Sequence, residues 1–109
     1  MSNLEDELAF QLQASGIEFE REYKFCPDRR WRADFYIKPM ILIELEGLTQ
    51  PWRKSRHTTN DGYSMDCEKY DEAEVLHFNV LRFTQQHVKS GYALQTIERL
   101  IEAKREWSE

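Results

Sequence analysis

The chain has 109 residues, a length that fits a single domain with one hydrophobic core, and we expect residues 1–109 to form that domain. Hydrophobic residues make up 40% of the chain and aromatic residues 13%, which argues against a disordered tail, and no apolar run reaches the roughly 20 residues of a membrane helix. The net charge of -5 excludes a globally basic nucleic-acid binder but not a local basic surface.

The first half of the chain predicts a helix followed by three strands. Ser2 and Glu5 have the spacing of a capping box, and the helix that they predict would end near Gly16. Residues 17–25 and 31–37 alternate apolar and polar side chains, which is typical of half-buried strands that keep one apolar face. A turn at Pro39 separates the second of these from a strongly apolar strand at 41–46.

The second half predicts a long loop at residues 47–64, a helix from about residue 65 to 77, a strand at 79–83, and a last helix after Gly91. Three consecutive strands can form an antiparallel meander, and a helix can then cross over to the fourth. The predicted fold class is therefore α/β, a mixed four-stranded sheet flanked by helices in the order α-β-β-β-α-β-α.

Three carboxylates are the candidate chemical centre. Glu44 and Glu46 are two residues apart in one strand and point to the same side, while Asp34 lies on the polar face of the preceding strand. If the two strands pair across the Pro39 turn, these oxygens can converge, and hard oxygen ligands select Mg²⁺ or Mn²⁺. The alternative is a solvated sheet face, but a covered carboxylate without a partner is costly in a strand this apolar.

Two residues on the predicted helices can join this centre. Lys69 shares the inward stripe of its helix with Ala73, so its ammonium can serve a phosphate or an attacking water; the alternative is a surface pair with Asp66. Glu5 lies amid the leucines of the first helix, where a capping role and a catalytic role are both compatible with its position.

Basic residues are concentrated in two places despite the acidic total. Arg32 flanks Trp31, and the predicted loop carries Arg53, Lys54, Arg56 and His57. These are candidate nucleic-acid contacts. His57 can also serve as a general acid or base.

These features together resemble the PD-(D/E)XK nuclease superfamily, and more closely its VRR-NUC and very-short-patch-repair-like branches among small phage or prophage proteins. Asp34, nine residues, then Glu44-Leu45-Glu46 resembles the acidic signature of that superfamily. The other matching stretches are Leu4-Glu5-x-x-Leu8-Ala9-x-Gln11-Leu12, Arg30-Trp31-Arg32-x-Asp34-Phe35, Arg56-His57-Thr58, Gly62-Tyr63, Asp66-x-Glu68-Lys69-Tyr70 and Val80-Leu81-Arg82-Phe83.

The resemblance implies a restriction-endonuclease-like core and an endonuclease that hydrolyses phosphodiester bonds, in DNA that could be branched or damaged. Asp34 and Glu44 would hold Mg²⁺ or Mn²⁺, and Glu5 would hold the metal or its water. The superfamily places a lysine where this chain has Glu46, and Lys69 is the candidate replacement. The expected setting is the cytoplasm of a bacterial host, and cutting both strands would favour a homodimer.

Two other functions remain open from the residues alone. One is a nucleic-acid-binding domain of the same fold that has lost catalysis. The other is an acidic interaction protein that mimics the charge of DNA, against which the inward Lys69 and the basic residues 53–57 both argue.

Overall fold

The computed structural model describes residues 3–46 and 60–107, and the elements follow the predicted order with one additional helix. They are α1 (Leu4–Ala14), β1 (Glu20–Lys24), β2 (Arg32–Ile37), β3 (Ile41–Glu46), α2 (Asn60–Val75), β4 (Asn79–Thr84), α3 (Gln85–Ser90) and α4 (Tyr92–Trp107). The strands form one sheet in the order β1-β2-β3-β4. Because β1, β2 and β3 are antiparallel neighbours and β4 runs parallel to β3, the predicted meander and crossover are confirmed.

The sheet separates two apolar layers. One layer lies against α1, α3 and α4 and includes Leu8, Leu12, Phe35 and Ile97, all with no exposed surface. The other layer lies on the α2 side and includes Leu42 and Ala73 together with the partly buried Val80. Even-numbered residues of β3 and β4 therefore face α2, and this alternation sends Glu44, Glu46 and Arg82 to that side of the sheet.

The start of α1 differs from the prediction. Asn3, not Ser2, is the N-cap, because its side-chain oxygen accepts a hydrogen bond from the Asp6 N–H at 2.8 Å. Glu5 is consequently the second residue of the helix and has no reciprocal capping role. Its carboxylate accepts a hydrogen bond from Arg21 Nε at 3.0 Å instead.

The alternation predicted for residues 17–25 and 31–37 is interrupted, so the prediction of one continuous apolar face on each strand is wrong. Phe19 packs in the α1 layer, whereas Tyr23, four residues later, packs in the α2 layer. Glu22 lies between them with a φ of 50°, a left-handed conformation that few non-glycine residues adopt and that reverses the facing of the strand. Phe35 and Ala33 in β2 divide between the two layers in the same way.

Two boundaries in the second half also differ. Helix α2 begins at Asn60, inside the segment predicted as loop, and ends at Val75. The sequence pattern missed α3, which follows β4 without a break. A capping box fixes its start, in which the Thr84 side chain accepts from the His87 N–H and the His87 ring accepts from the Thr84 N–H. In the ranges that the structure covers, no helix is long and apolar enough to span a bilayer.

Candidate active site

The site lies where the β2–β3 ladder ends. Phe35 pairs with Ile43 in the antiparallel register, which puts Asp34 opposite Glu44. At this point side-chain carboxylates accept the hydrogen bonds that backbone carbonyls would accept in a continued ladder. The Asp34 N–H donates to Glu44 Oε2 at 3.2 Å, and the Leu45 N–H donates to Asp34 Oδ2 at 2.7 Å. Each carboxylate thus accepts a hydrogen bond from the backbone of the opposite strand, at the end where β2 and β3 separate.

A carboxylate cluster extends from Asp34 toward α1. Glu5, Glu22 and Asp34 each offer one oxygen atom, and these atoms lie within 4.8 Å of one another. The left-handed backbone of Glu22 occurs at the point where its side chain joins this cluster. An all-oxygen donor set fits Mg²⁺ or Mn²⁺ rather than a softer metal, so the residues present are compatible with the predicted type of ion.

Burial and the repulsion of neighbouring carboxylates raise the pKa values of two members of this cluster, Asp34 and Glu22. Burial is the main cause that raises the pKa of Asp34, and the charge of Glu5 adds to it, while the hydrogen bond from Leu45 N–H opposes it. The pKa of Glu22 is also raised, by desolvation first and then by the charges of Glu5 and Asp34. A cation among these oxygens would relieve the repulsion and favour the charged carboxylates.

Glu44 has a different set of partners. Lys69 Nζ donates to Glu44 Oε1 at 2.9 Å and to the Arg32 carbonyl at 2.9 Å, and the Tyr70 hydroxyl lies 3.4 Å from the same Glu44 oxygen. The side chains of Lys69 and Glu44 are only 17% and 12% exposed. Burial raises the pKa of Glu44, and the hydrogen bond and charge of Lys69 oppose that rise.

Glu46 pairs with a residue of the neighbouring strand. Arg82 Nε donates to Glu46 Oε2 at 3.2 Å, and the Arg82 guanidinium stacks on the Tyr70 ring with its carbon 4.5 Å from the ring centre. Burial is the main cause that raises the pKa of the Tyr70 hydroxyl far above its ordinary value, so Tyr70 stays protonated and can donate to Glu44.

The structure therefore brings together four of the residues singled out from sequence: Glu5 and Asp34 lie in the carboxylate cluster, and Glu44 lies beside Asp34 with Lys69 on it. Lys69 points to Glu44. The alternative of a surface pair with Asp66 required the ammonium to point to solvent. Glu46 lies further along β3 and contacts Arg82 instead. The catalytic roles of all five stay predictions.

The predicted nucleic-acid contacts are divided between described and undescribed residues. Arg32 is exposed, donates to the Glu22 carbonyl at 3.4 Å, and thus lies next to the carboxylate cluster. Arg29, close by in the β1–β2 connection, stacks on Trp31 at 4.5 Å from the ring centre. The four loop residues predicted to bind nucleic acid lie outside the described residues: Arg53, Lys54, Arg56 and His57.

Sequence reasoning missed three members of the site. The alternation of residues 17–25 places Glu22 on a polar strand face, and no residue type signals its positive φ. Tyr70 follows Lys69 on the helix, and Arg82 becomes a neighbour of the carboxylates only through the parallel register that pairs it with Glu44. An exposed arginine on a strand next to the strand of Glu44 and Glu46 would signal the Arg82–Glu46 contact, provided that the register is known.

Comparison with known proteins gives a structural match without a sequence match. No protein-family model matches the chain, and no curated protein matches it in sequence. Among solved structures, the catalytic domain of the homing endonuclease I-Bth0305I is similar, with a TM-score of 0.66 and 15% identity over 94% of this chain and 92% of that one. At this identity the likeness concerns the fold, and the chain therefore has the fold of an endonuclease catalytic domain.

Proposed function

We propose that this protein is a Mg²⁺- or Mn²⁺-dependent endonuclease that hydrolyses phosphodiester bonds in DNA, related to the VRR-NUC and very-short-patch-repair-like nucleases. The observation that carries the proposal is the cluster of Glu5, Glu22 and Asp34 beside the Lys69–Glu44 pair. The fold shared with a homing endonuclease catalytic domain supports it independently. Branched or damaged DNA is the proposed substrate class.

The residues divide the work as follows. Asp34, Glu5 and Glu22 would hold the cation, and Glu44 would be a further ligand on the other side of Asp34. When bound, the cation would lower the pKa of a water and offset the charge that develops on the phosphate. Lys69 donates to Glu44, and its Nζ atom lies beside the site, where it can orient the phosphate or the attacking water.

The surrounding residues keep this arrangement in place. Tyr70 donates to the oxygen of Glu44 that Lys69 also contacts, and the Leu45 N–H fixes the carboxylate of Asp34. Side chains held by several partners lose little freedom when substrate binds, and this preorganisation favours catalysis. The exposed Arg32 would contact the phosphates of the bound strand next to the cluster.

A cleavage assay tests the proposal. Supercoiled plasmid and a four-way DNA junction are incubated with the protein in Mg²⁺, in Mn²⁺ and in EDTA. We expect cleavage only with metal, and loss of cleavage in Asp34→Asn. Glu98→Gln, which removes an exposed carboxylate of α4, is the matched control and should cleave normally.

The same assay separates the proposal from its rivals. A domain that has lost catalysis would bind the junction but leave it intact under every metal condition. An acidic mimic of DNA would neither bind nor cleave. Full activity of Asp34→Asn would show that a contaminating nuclease or another site is responsible, and would overturn the assignment.

A further inference from the structure

Arg82 is held in a fixed orientation by two neighbours. The Tyr70 ring supports one face of the guanidinium at 4.5 Å, and Glu46 accepts from Nε at 3.2 Å. The Arg82 side chain is nevertheless 47% exposed. The hydrogen bond to Glu46 is the main cause that raises the pKa of Arg82, with further contributions from the charges of Glu46 and Asp66, so the group stays fully charged.

The end of the guanidinium that carries the two Nη nitrogens is the candidate binding edge. Within residues 3–46 and 60–107, Arg82 Nε donates to Glu46 but neither Nη nitrogen has a hydrogen-bond acceptor. These two nitrogens form the planar edge that binds a phosphate through two parallel hydrogen bonds. If Arg82 served only to neutralise the charge of Glu46, the strongest arrangement would direct this edge to the Glu46 carboxylate and form two parallel hydrogen bonds.

The position of Arg82 connects it to the candidate active site. It is the register partner of Glu44 on the parallel strand, and both side chains face α2. Tyr70 contacts both residues, through its ring and its hydroxyl. The Arg82 side chain therefore lies on the same side of the sheet as Lys69.

We propose that Arg82 binds a backbone phosphate of the nucleic acid next to the phosphate that is cleaved. The proposal rests on the proposed function, and it assigns to β4 a substrate contact that the acidic signature does not contain. The negative charge of Glu46 would repel that phosphate, because both anions would lie against the same guanidinium. Removal of the Glu46 charge should therefore strengthen binding.

The experiment measures binding of a fluorescent four-way DNA junction in EDTA, so that cleavage does not interfere, at salt concentrations from 50 to 200 mM. We expect Arg82→Gln to weaken binding about tenfold and to reduce the slope of log K against log salt by about 0.9, the value for one phosphate contact. Arg82→Lys should lie between Arg82→Gln and the wild type, because lysine keeps the charge but loses the planar edge. Glu46→Gln should bind more tightly than the wild type.

Arg99→Gln is the control, since Arg99 is an exposed arginine on α4 and its loss changes the net charge equally. The inference is overturned if Arg82→Gln and Arg99→Gln share the wild-type slope, or if Glu46→Gln weakens binding as a merely structural ion pair would. The melting temperature of each variant is measured in parallel, and Glu46→Gln and Arg82→Lys decide the outcome if Arg82→Gln does not fold.

The outcomes also separate this inference from the nuclease proposal. A wild-type protein that cleaves DNA while Arg82→Gln binds and cleaves normally overturns the phosphate contact alone. A wild-type protein that binds the junction through Arg82 but never cleaves it overturns the nuclease alone. Absence of all binding by the wild type overturns both.

Discussion

Lys69→Met is the most informative single change at this site. Methionine keeps most of the volume of the lysine side chain, so the packing of α2 against β3 changes little. The ammonium and its two hydrogen bonds at 2.9 Å, to Glu44 and to the Arg32 carbonyl, are lost. Among the described residues, Glu44 then keeps two neutral donors, the Asp34 N–H at 3.2 Å and the Tyr70 hydroxyl at 3.4 Å.

The expected loss of stability follows from this geometry. A hydrogen bond to a charged group contributes about 1.5–3 kcal/mol. Because Glu44 is only 12% exposed, water cannot replace the lost donor fully, and the loss should lie within that range. In a domain of this size it corresponds to a fall in Tm of ~10 °C.

The loss should depend on pH with a defined sign. Lys69 opposes the rise in the Glu44 pKa that burial causes, so its removal raises that pKa further. A carboxyl whose folded-state pKa is raised contributes stability below its unfolded pKa and loses it as the pH rises through the folded pKa. The destabilisation of Lys69→Met should therefore be large at pH 8 and small near pH 4.5.

Thermal unfolding and plasmid cleavage check this reasoning in a double-mutant cycle of Lys69→Met with Glu44→Gln. We expect a coupling free energy of about 1.5–3 kcal/mol. We also expect a cleavage rate reduced ~100-fold or more in Lys69→Met, as when a preorganised charge-stabilising donor is removed. Lys69→Arg is the control that keeps the charge. A coupling free energy below about 0.5 kcal/mol, the level of independent sites, would refute the buried pair.

Three further predictions concern the metal, the loop and the first helix. Mg²⁺ or Mn²⁺ should raise Tm more at pH 8 than at pH 5, because protons compete with the metal for the carboxylates of Asp34 and Glu22, whose pKa values are raised. Asp34→Asn should abolish this rise in Tm, and an equal rise in that variant would place the ion elsewhere. Replacement of Arg53, Lys54 and Arg56 by Gln should weaken DNA binding and reduce the slope of log K against log salt. Unchanged binding would contradict phosphate contacts by these three residues. Asn3→Ala should cost about 1 kcal/mol of unfolding free energy through loss of the N-cap, with Ser2→Ala as the comparison, and an equal loss in both would contradict the cap at Asn3.

The parts of the site that the sequence predicts are those governed by simple periodicity. A period of two on β3 and a turn between β2 and β3 suffice to place Asp34 and Glu44 opposite each other. The helical spacing of Lys69 and Ala73 likewise predicts that Lys69 points toward the sheet, which its bond to Glu44 matches. Burial is the physical reason that these patterns predict orientation, since the apolar residues of β3 and the apolar stripe of α2 have to face the core.

The parts that the sequence does not predict depend on local backbone geometry or on register. No residue type signals that Glu22 adopts a positive φ, yet that conformation accompanies its place in the carboxylate cluster. The capping box at Thr84 uses His87 where the usual pattern has Glu or Gln, so α3 was missed. The pairing of Arg82 with Glu46 requires the parallel register of β3 and β4, which a crossover through α2 leaves open.

The distribution of charge indicates which carboxylates are the better ligands for a cation. Lys69 lies on Glu44 and Arg82 on Glu46, so both acids at the end of β3 already have a close positive partner. On the other side of Asp34, Arg21 contacts Glu5 at 3.0 Å, and the pKa values of Asp34 and Glu22 remain raised. Glu5, Glu22 and Asp34 bring three carboxylate oxygens within 4.8 Å of one another, and a divalent cation among them would offset their mutual repulsion. Among the described residues, the cations that contact the two acids of β3 come from α2 and β4: Lys69 pairs with Glu44, and Arg82 pairs with Glu46.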